Sequence, residues 1–150
     1  MIVPSLAVIL HIFGAVVWVG GMFFALVVLR PATGPLDPGV RLALWRRVFE
    51  GFFPWVFIAI AVLLISGFTL FLGGFAVGPH VHAMMAIGIL MMLIFFHLYF
   101  APWKRFRRAL DAGDNAAAAA QLNQIRMIVK LNLILGLLTV AIGSSGRYWG

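Results

Sequence analysis

Residues 79–101 read PHVHAMMAIGILMMLIFFHLYFA, twenty-three positions without one Asp, Glu, Lys or Arg. As a helix, ~20 apolar residues are enough to cross ~30 Å of hydrocarbon. The run does not alternate polar with apolar residues, and in lipid a segment that must satisfy its own N–H and C=O groups does so as a helix. Working outward, runs of the same kind cover about residues 4–29, 53–72 and 125–145. The expectation is an all-α membrane protein, a four-helix transmembrane bundle forming one domain over residues 1–150. Composition agrees, with 64% hydrophobic and 10% charged residues against the far more polar balance of soluble domains. The opening stretch MIVPSLAVILHIFGAVV has no basic n-region and no small-residue cleavage site, so it reads as a retained first span. The chain has no cysteine, which excludes disulfides, thiolate metal sites and thiol catalysis.

Two helices are expected to outrun the bilayer. Asp37-Pro38 has the form of an N-cap followed by proline at the first helical position, so the second helix starts there and meets a kink at Pro54. Residues 40–53, VRLALWRRVFEGFF, would lie at the membrane surface with Glu50 paired to Arg46 or Arg47. Asp114 is placed to cap the fourth helix, so that helices three and four form a hairpin turning at DAGD, residues 111–114, and projecting into the cytoplasm. The basic residues set the sidedness. Arg30, Arg41, Arg46, Arg47, Lys104, Arg105, Arg107, Arg108, Arg126 and Lys130 flank the first and third connections, and only Arg147 lies on the other side. By the positive-inside rule both termini and the turn GGFAVGP face outward, to the periplasm of a multi-pass protein in a bacterial inner membrane. This distribution also accounts for the net charge of +7: the partner it implies is a lipid bilayer, not nucleic acid.

Three histidines then share one layer near the outer face: His11, His80 and His82, with His97 alone near the inner face. At ~100° per residue, His80 and His82 point ~200° apart, so one regular helix cannot aim both at a single interior site. His82 shares a stripe with Met85, Ala86 and Ile89; His11 shares one with Gly14, Ala15, Trp18 and Met22. Asn132, Gly136, Thr139 and Gly143 form a face of the fourth helix, with Arg147 beyond it. Small residues beside an imidazole admit a flat ligand or a neighbouring helix. One expectation is therefore a haem b with His11 and His82 as axial pair, Gly14, Ala15, Trp18 and Gly67 around the macrocycle, and Arg147 at a propionate. Electron transfer or oxidation with a quinone or other redox partner would follow, and a homo-oligomer is compatible with it. The alternative is copper, since HVHAMM joins imidazoles to thioethers that suit Cu(I), with His11, His80, His82 and Met85 as candidate ligands and Met22, Met91 and Met92 continuing inward. Methionine is also ordinary core filler, and His97 is expected to be a packing residue bonded to Asn132.

Residues 10–31, LHIFGAVVWVGGMFFALVVLRP, and 80–103, HVHAMMAIGILMMLIFFHLYFAPW, resemble the small bacterial membrane proteins of the copper-resistance D (CopD) family. The likeness extends over LWRRVFEGFF and IRMIVKLNLILGLL, nearly the whole chain, and implies copper handling at the inner membrane. A more distant resemblance is to the HemJ-type membrane haem proteins, which carry a histidine early in helix one and bind haem b. That likeness implies His11 as a haem ligand. Those proteins also use a lysine on the third membrane helix, where the present chain has none and places His82 in the comparable region.

Overall fold

The computed structural model describes residues 2–149. Every regular element among them is helical: α1 (Ile2–Phe23), a π-helical turn (Phe24–Leu29), α2 (Arg30–Ala32), α3 (Pro38–Leu72), α4 (Pro79–Phe100), α5 (Pro102–Asp111), α6 (Asn115–Ser145) and a closing 3-10 turn (Gly146–Tyr148). Four helical stretches, Ile2–Ala32, Pro38–Leu72, Pro79–Asp111 and Asn115–Tyr148, are long and apolar enough to cross a membrane. Their outward faces stay apolar, as Phe13, Ile65 and Leu93 illustrate at 62%, 70% and 60% exposure. In water such surface would be a liability; in acyl chains it is the solvated face. With 35 residues α3 extends ~52 Å at ~1.5 Å per residue, well beyond ~30 Å of hydrocarbon.

Local chemistry explains the boundaries. Pro38 opens α3, although the Asp37 side chain makes no capping bond. Asp114 does cap α6, its carboxylate accepting from the Ala117 amide at 3.0 Å. Between α4 and α5 the chain breaks at Ala101, with φ −117° and ψ −84°, just before Pro102 removes an amide donor. Gly78, at φ +116°, takes a conformation that side chains disfavour and delivers the chain into α4.

The helices pack as neighbours α1 on α3, α4 on α6, α5 on α6, and more lightly α1 on α6. Rings join α3 to α4: Phe53 and Phe57 meet Phe95 edge-on at 5.5 and 5.2 Å, and Phe53 meets Trp103 of α5 at 5.2 Å. Trp45, Phe49 and Phe53 recur every four residues along α3, so one stripe of that helix supplies the floor of the aromatic core. Arg46 completes the junction from the other side of the turn, paired to Glu50 at 2.9 Å and to Asp111 at 2.6 Å. The Glu50 pairing was expected; the Asp111 bond, which ties α3 to the end of α5, was not.

Candidate metal-binding site

His11 projects from α1 onto α3, where its Nδ1 lies 2.9 Å from the Ser66 hydroxyl. The Ser66 hydroxyl proton is engaged by the Val62 carbonyl at 2.6 Å. Ser66 must then accept from His11, so Nδ1 carries the imidazole proton and Nε2 keeps a bare lone pair. A second histidine reaches the same state. His82 Nδ1 lies 3.1 Å from the Gly78 carbonyl, which can only accept, so its Nε2 is also unprotonated in the neutral ring. Anchoring one ring nitrogen to leave the other free is the arrangement found behind metal-ligating histidines. Both rings lie along one strip of α3. A side chain added at Gly67 would stand 3.2 Å from His11 Cε1, and Phe71, one turn on, meets His82 edge-on at 5.6 Å.

His80 turns the other way, as its angle on the helix requires. Its ring fills the space over Gly146, in the 3-10 turn that follows α6, and approaches Trp149 at 6.3 Å. Below it on the same face of α4, the Met84 thioether lies over Gly143, 2.9 Å from where a Cβ would stand. One heptad further, Met91 lies over Gly136, its methyl 3.1 Å from the corresponding position. At ~100° per residue, positions 80, 84 and 91 fall within ~40° of one another. Their glycine partners let the two backbones close until imidazole and sulfurs lie in the seam between α4 and α6. Thr139 approaches the Met91 sulfur at 3.9 Å but donates its proton to the Leu135 carbonyl at 2.8 Å, leaving the sulfur lone pairs unclaimed.

The other residues singled out in the sequence are placed as follows. Gly14 serves helix approach: a Cβ there would stand 3.0 Å from Leu63, so the room it opens is filled by α3. The room at Gly67 is filled by the His11 ring. Trp18 is buried edge-on against Phe95 at 6.2 Å, and Ala15 is half-buried beside it on α1. Met85 is half-buried and Met22 and Met92 are core residues. Arg147 is exposed, bonded to the neighbouring Tyr148 hydroxyl and stacked over its ring. His97 is exposed, lining a shallow groove with Leu93, Ile94, Gln124, Met127, Ile128 and Leu131 on the outside of the bundle. The expected His97–Asn132 bond is absent: Asn132 is buried and donates instead to the Met91 carbonyl at 3.1 Å. The two sites lie 35 residues apart in sequence at similar depth, but Asn132 faces inward where His97 faces out.

Among the described residues no three His, Cys, Asp or Glu side chains converge on a common point. A soft-metal site with three or more side-chain donors would therefore have to include thioethers. The sequence reading placed Met85 on the stripe of His82 and took Met84 only as part of HVHAMM, without its glycine partner. The available signal was the matching heptads, Met84 and Met91 against Gly143 and Gly136. Ser66 was also passed over, although it is a hydroxyl inside an apolar run.

The family model described as Copper resistance protein D matches residues 46–145, two thirds of the chain. The chain belongs to the copper-resistance protein D family. Neither the curated proteins nor the solved structures contain a match to it. Family and helices together make this a multi-pass membrane protein, and the matched segment holds His80, Met84, Met91, Gly136 and Gly143, with Gly146 just beyond its end.

Proposed function

We propose that this family member takes up Cu(I) in the seam between α4 and α6, with His80 as entry ligand and the Met84 and Met91 thioethers as inner donors, and that it serves copper resistance by holding the ion within the membrane. The observation that carries this reading is the row of soft donors seated on Gly146, Gly143 and Gly136. Imidazole and thioether donors without carboxylates select Cu(I) over harder cations. From position 80 to position 91 the row covers ~16 Å, about half the hydrocarbon. Beyond Met91 the path meets Phe95, buried among Phe53, Phe57 and Tyr99, which offer no ligand. The single subunit is thus built to bind the ion, with the aromatic plug resisting passage.

A Cu(I) competition titration on the purified protein tests this. Met84→Leu and His80→Ala should each weaken binding ~10-fold or more, the scale on which even outer-shell partners of a metal act. Met85→Leu should leave it unchanged. Equal losses in Met84→Leu and Met85→Leu, or no copper binding by the wild type, would overturn the assignment.

A haem b held by His11 and His82 is the second reading. It is favoured by their two bare Nε2 atoms along the Gly67–Phe71 strip, and opposed by the filling of the space at Gly14 and Gly67. A Soret band lost in both His11→Ala and His82→Ala would establish it in place of the copper site.

A further inference from the structure

At the opposite end of the bundle from His80, a guanidinium lies on a buried indole, with two further arginines close by in the fold. Arg126 of α6 lays its guanidinium on the Trp45 ring, 5.1 Å from the centroid. The Trp45 N–H donates to the buried Thr33 hydroxyl at 3.3 Å, and that hydroxyl is bonded in turn to the Arg30 carbonyl at 2.9 Å. Arg41, one turn before Trp45 on α3, donates to the Gly34 carbonyl at 3.3 Å. Through the Trp45 ring, the Thr33 hydroxyl and the Gly34 carbonyl, Arg126, Arg30 and Arg41 are thus held at one end of the bundle, where three like charges repel.

Among the described residues no carboxylate is paired with these three arginines: the ion pairs involve Arg46 with Glu50 and Asp111, Asp114 is engaged in capping α6, and Asp37, at the start of α3, forms neither an ion pair nor a cap. Arg126 Nε is buried and donates to nothing within the chain. A donor left so, beside a like-charge cluster, is what a missing anion would explain. The location narrows the anion. Arg30 ends the first apolar run and Arg126 begins the last, so the cluster lies at the depth where lipid phosphates meet the hydrocarbon.

We propose that Arg30, Arg41 and Arg126 form a binding site for a phosphate oxyanion, supplied by the headgroup of an anionic phospholipid. Planar guanidinium forks match phosphate oxygens, and basic pockets between membrane helices are suited to such headgroups. The bound phosphate would accept from Arg126 Nε and screen the three cations, tying the ends of α2, α3 and α6 together.

The test uses the full chain in phosphatidylcholine nanodiscs with and without phosphatidylglycerol. Lipid retention is read by native mass spectrometry and the unfolding midpoint by heating. Phosphatidylglycerol should be retained by the wild type and raise its midpoint. Arg126→Gln and Arg41→Gln should each weaken retention about fivefold, the effect of one basic residue near a membrane surface. Lys104→Gln with Arg105→Gln removes two exposed charges elsewhere and should change neither readout. Should that double variant lose lipid as strongly as Arg126→Gln and Arg41→Gln, the attraction is diffuse and the site is refuted. In phosphatidylcholine alone, inorganic phosphate is the second arm. Protection by it that competes with phosphatidylglycerol supports the oxyanion site and assigns it to a soluble phosphate. Indifference of the wild type to both anions overturns the proposal.

Discussion

A single hydroxyl decides the state of His11. Ser66 is committed as a donor to Val62, so it can only accept from the ring, and the free nitrogen is Nε2. Ser66→Ala removes the acceptor and lets the ring rotate. The expected loss is ~1 kcal/mol for a neutral bond, read as a lower unfolding midpoint in detergent. Cu(I) affinity should be unaffected, because the row proposed to take copper lies on another helix pair; a copper defect in this variant would join His11 to that site and contradict the assignment to the α4–α6 seam. His97 shows the opposite case. Its exposure beside Met127 and Leu131 gives it no interior role, whatever its neighbours in sequence suggest.

At the scale of elements, the glycines divide into those that hold helices together and those that do not. Gly136 lies under Val19 of α1 and Met91 of α4, which a Cβ would meet at 2.9 and 3.1 Å, so three helices close on this one position. Gly20 has no neighbouring atom within 4 Å of a Cβ. Gly136→Leu should wedge the bundle and cost ~1–3 kcal/mol, the range for overpacked cores. Gly20→Ala should be neutral or stabilise by up to ~1 kcal/mol, since the helix gains propensity and meets no obstacle. Midpoints of the two variants moving together would mean that the glycines act through propensity alone and not through contact.

For the whole molecule, the distribution of charge places ten basic residues at one end and Arg147 at the other. By the positive-inside rule we expect the end that holds His80 to face outward and the end that holds Arg126 to face the cytoplasm. Reporter fusions after Gly74 and at the C-terminus should report the outer side, and a fusion after Asp114 the inner side. The reverse pattern would put the His80 entrance in the cytoplasm and change the direction of copper uptake.

The helical class and the four spans follow from apolar length alone, because a backbone in lipid has no partner but itself. Family membership was likewise readable in local motifs such as LWRRVFEGFF. Capping at Asp114 is a property of adjacent residues and was equally accessible. Pairing between helices was not. Which face of α4 meets α6 depends on Gly136 and Gly143 admitting side chains from a helix about fifty residues away in sequence, and that choice placed Met84, not Met85, over Gly143. The His11–Ser66 bond spans 55 residues, and the Arg46–Asp111 pair 65. The Arg126 guanidinium on the Trp45 ring and the Trp45–Thr33 bond bring together α6, α3 and the end of α2, which no periodicity links. Sequence determined what each helix is, since lipid acts on every residue where it stands; only tertiary packing decided which side chains meet, since that depends on how two distant surfaces fit.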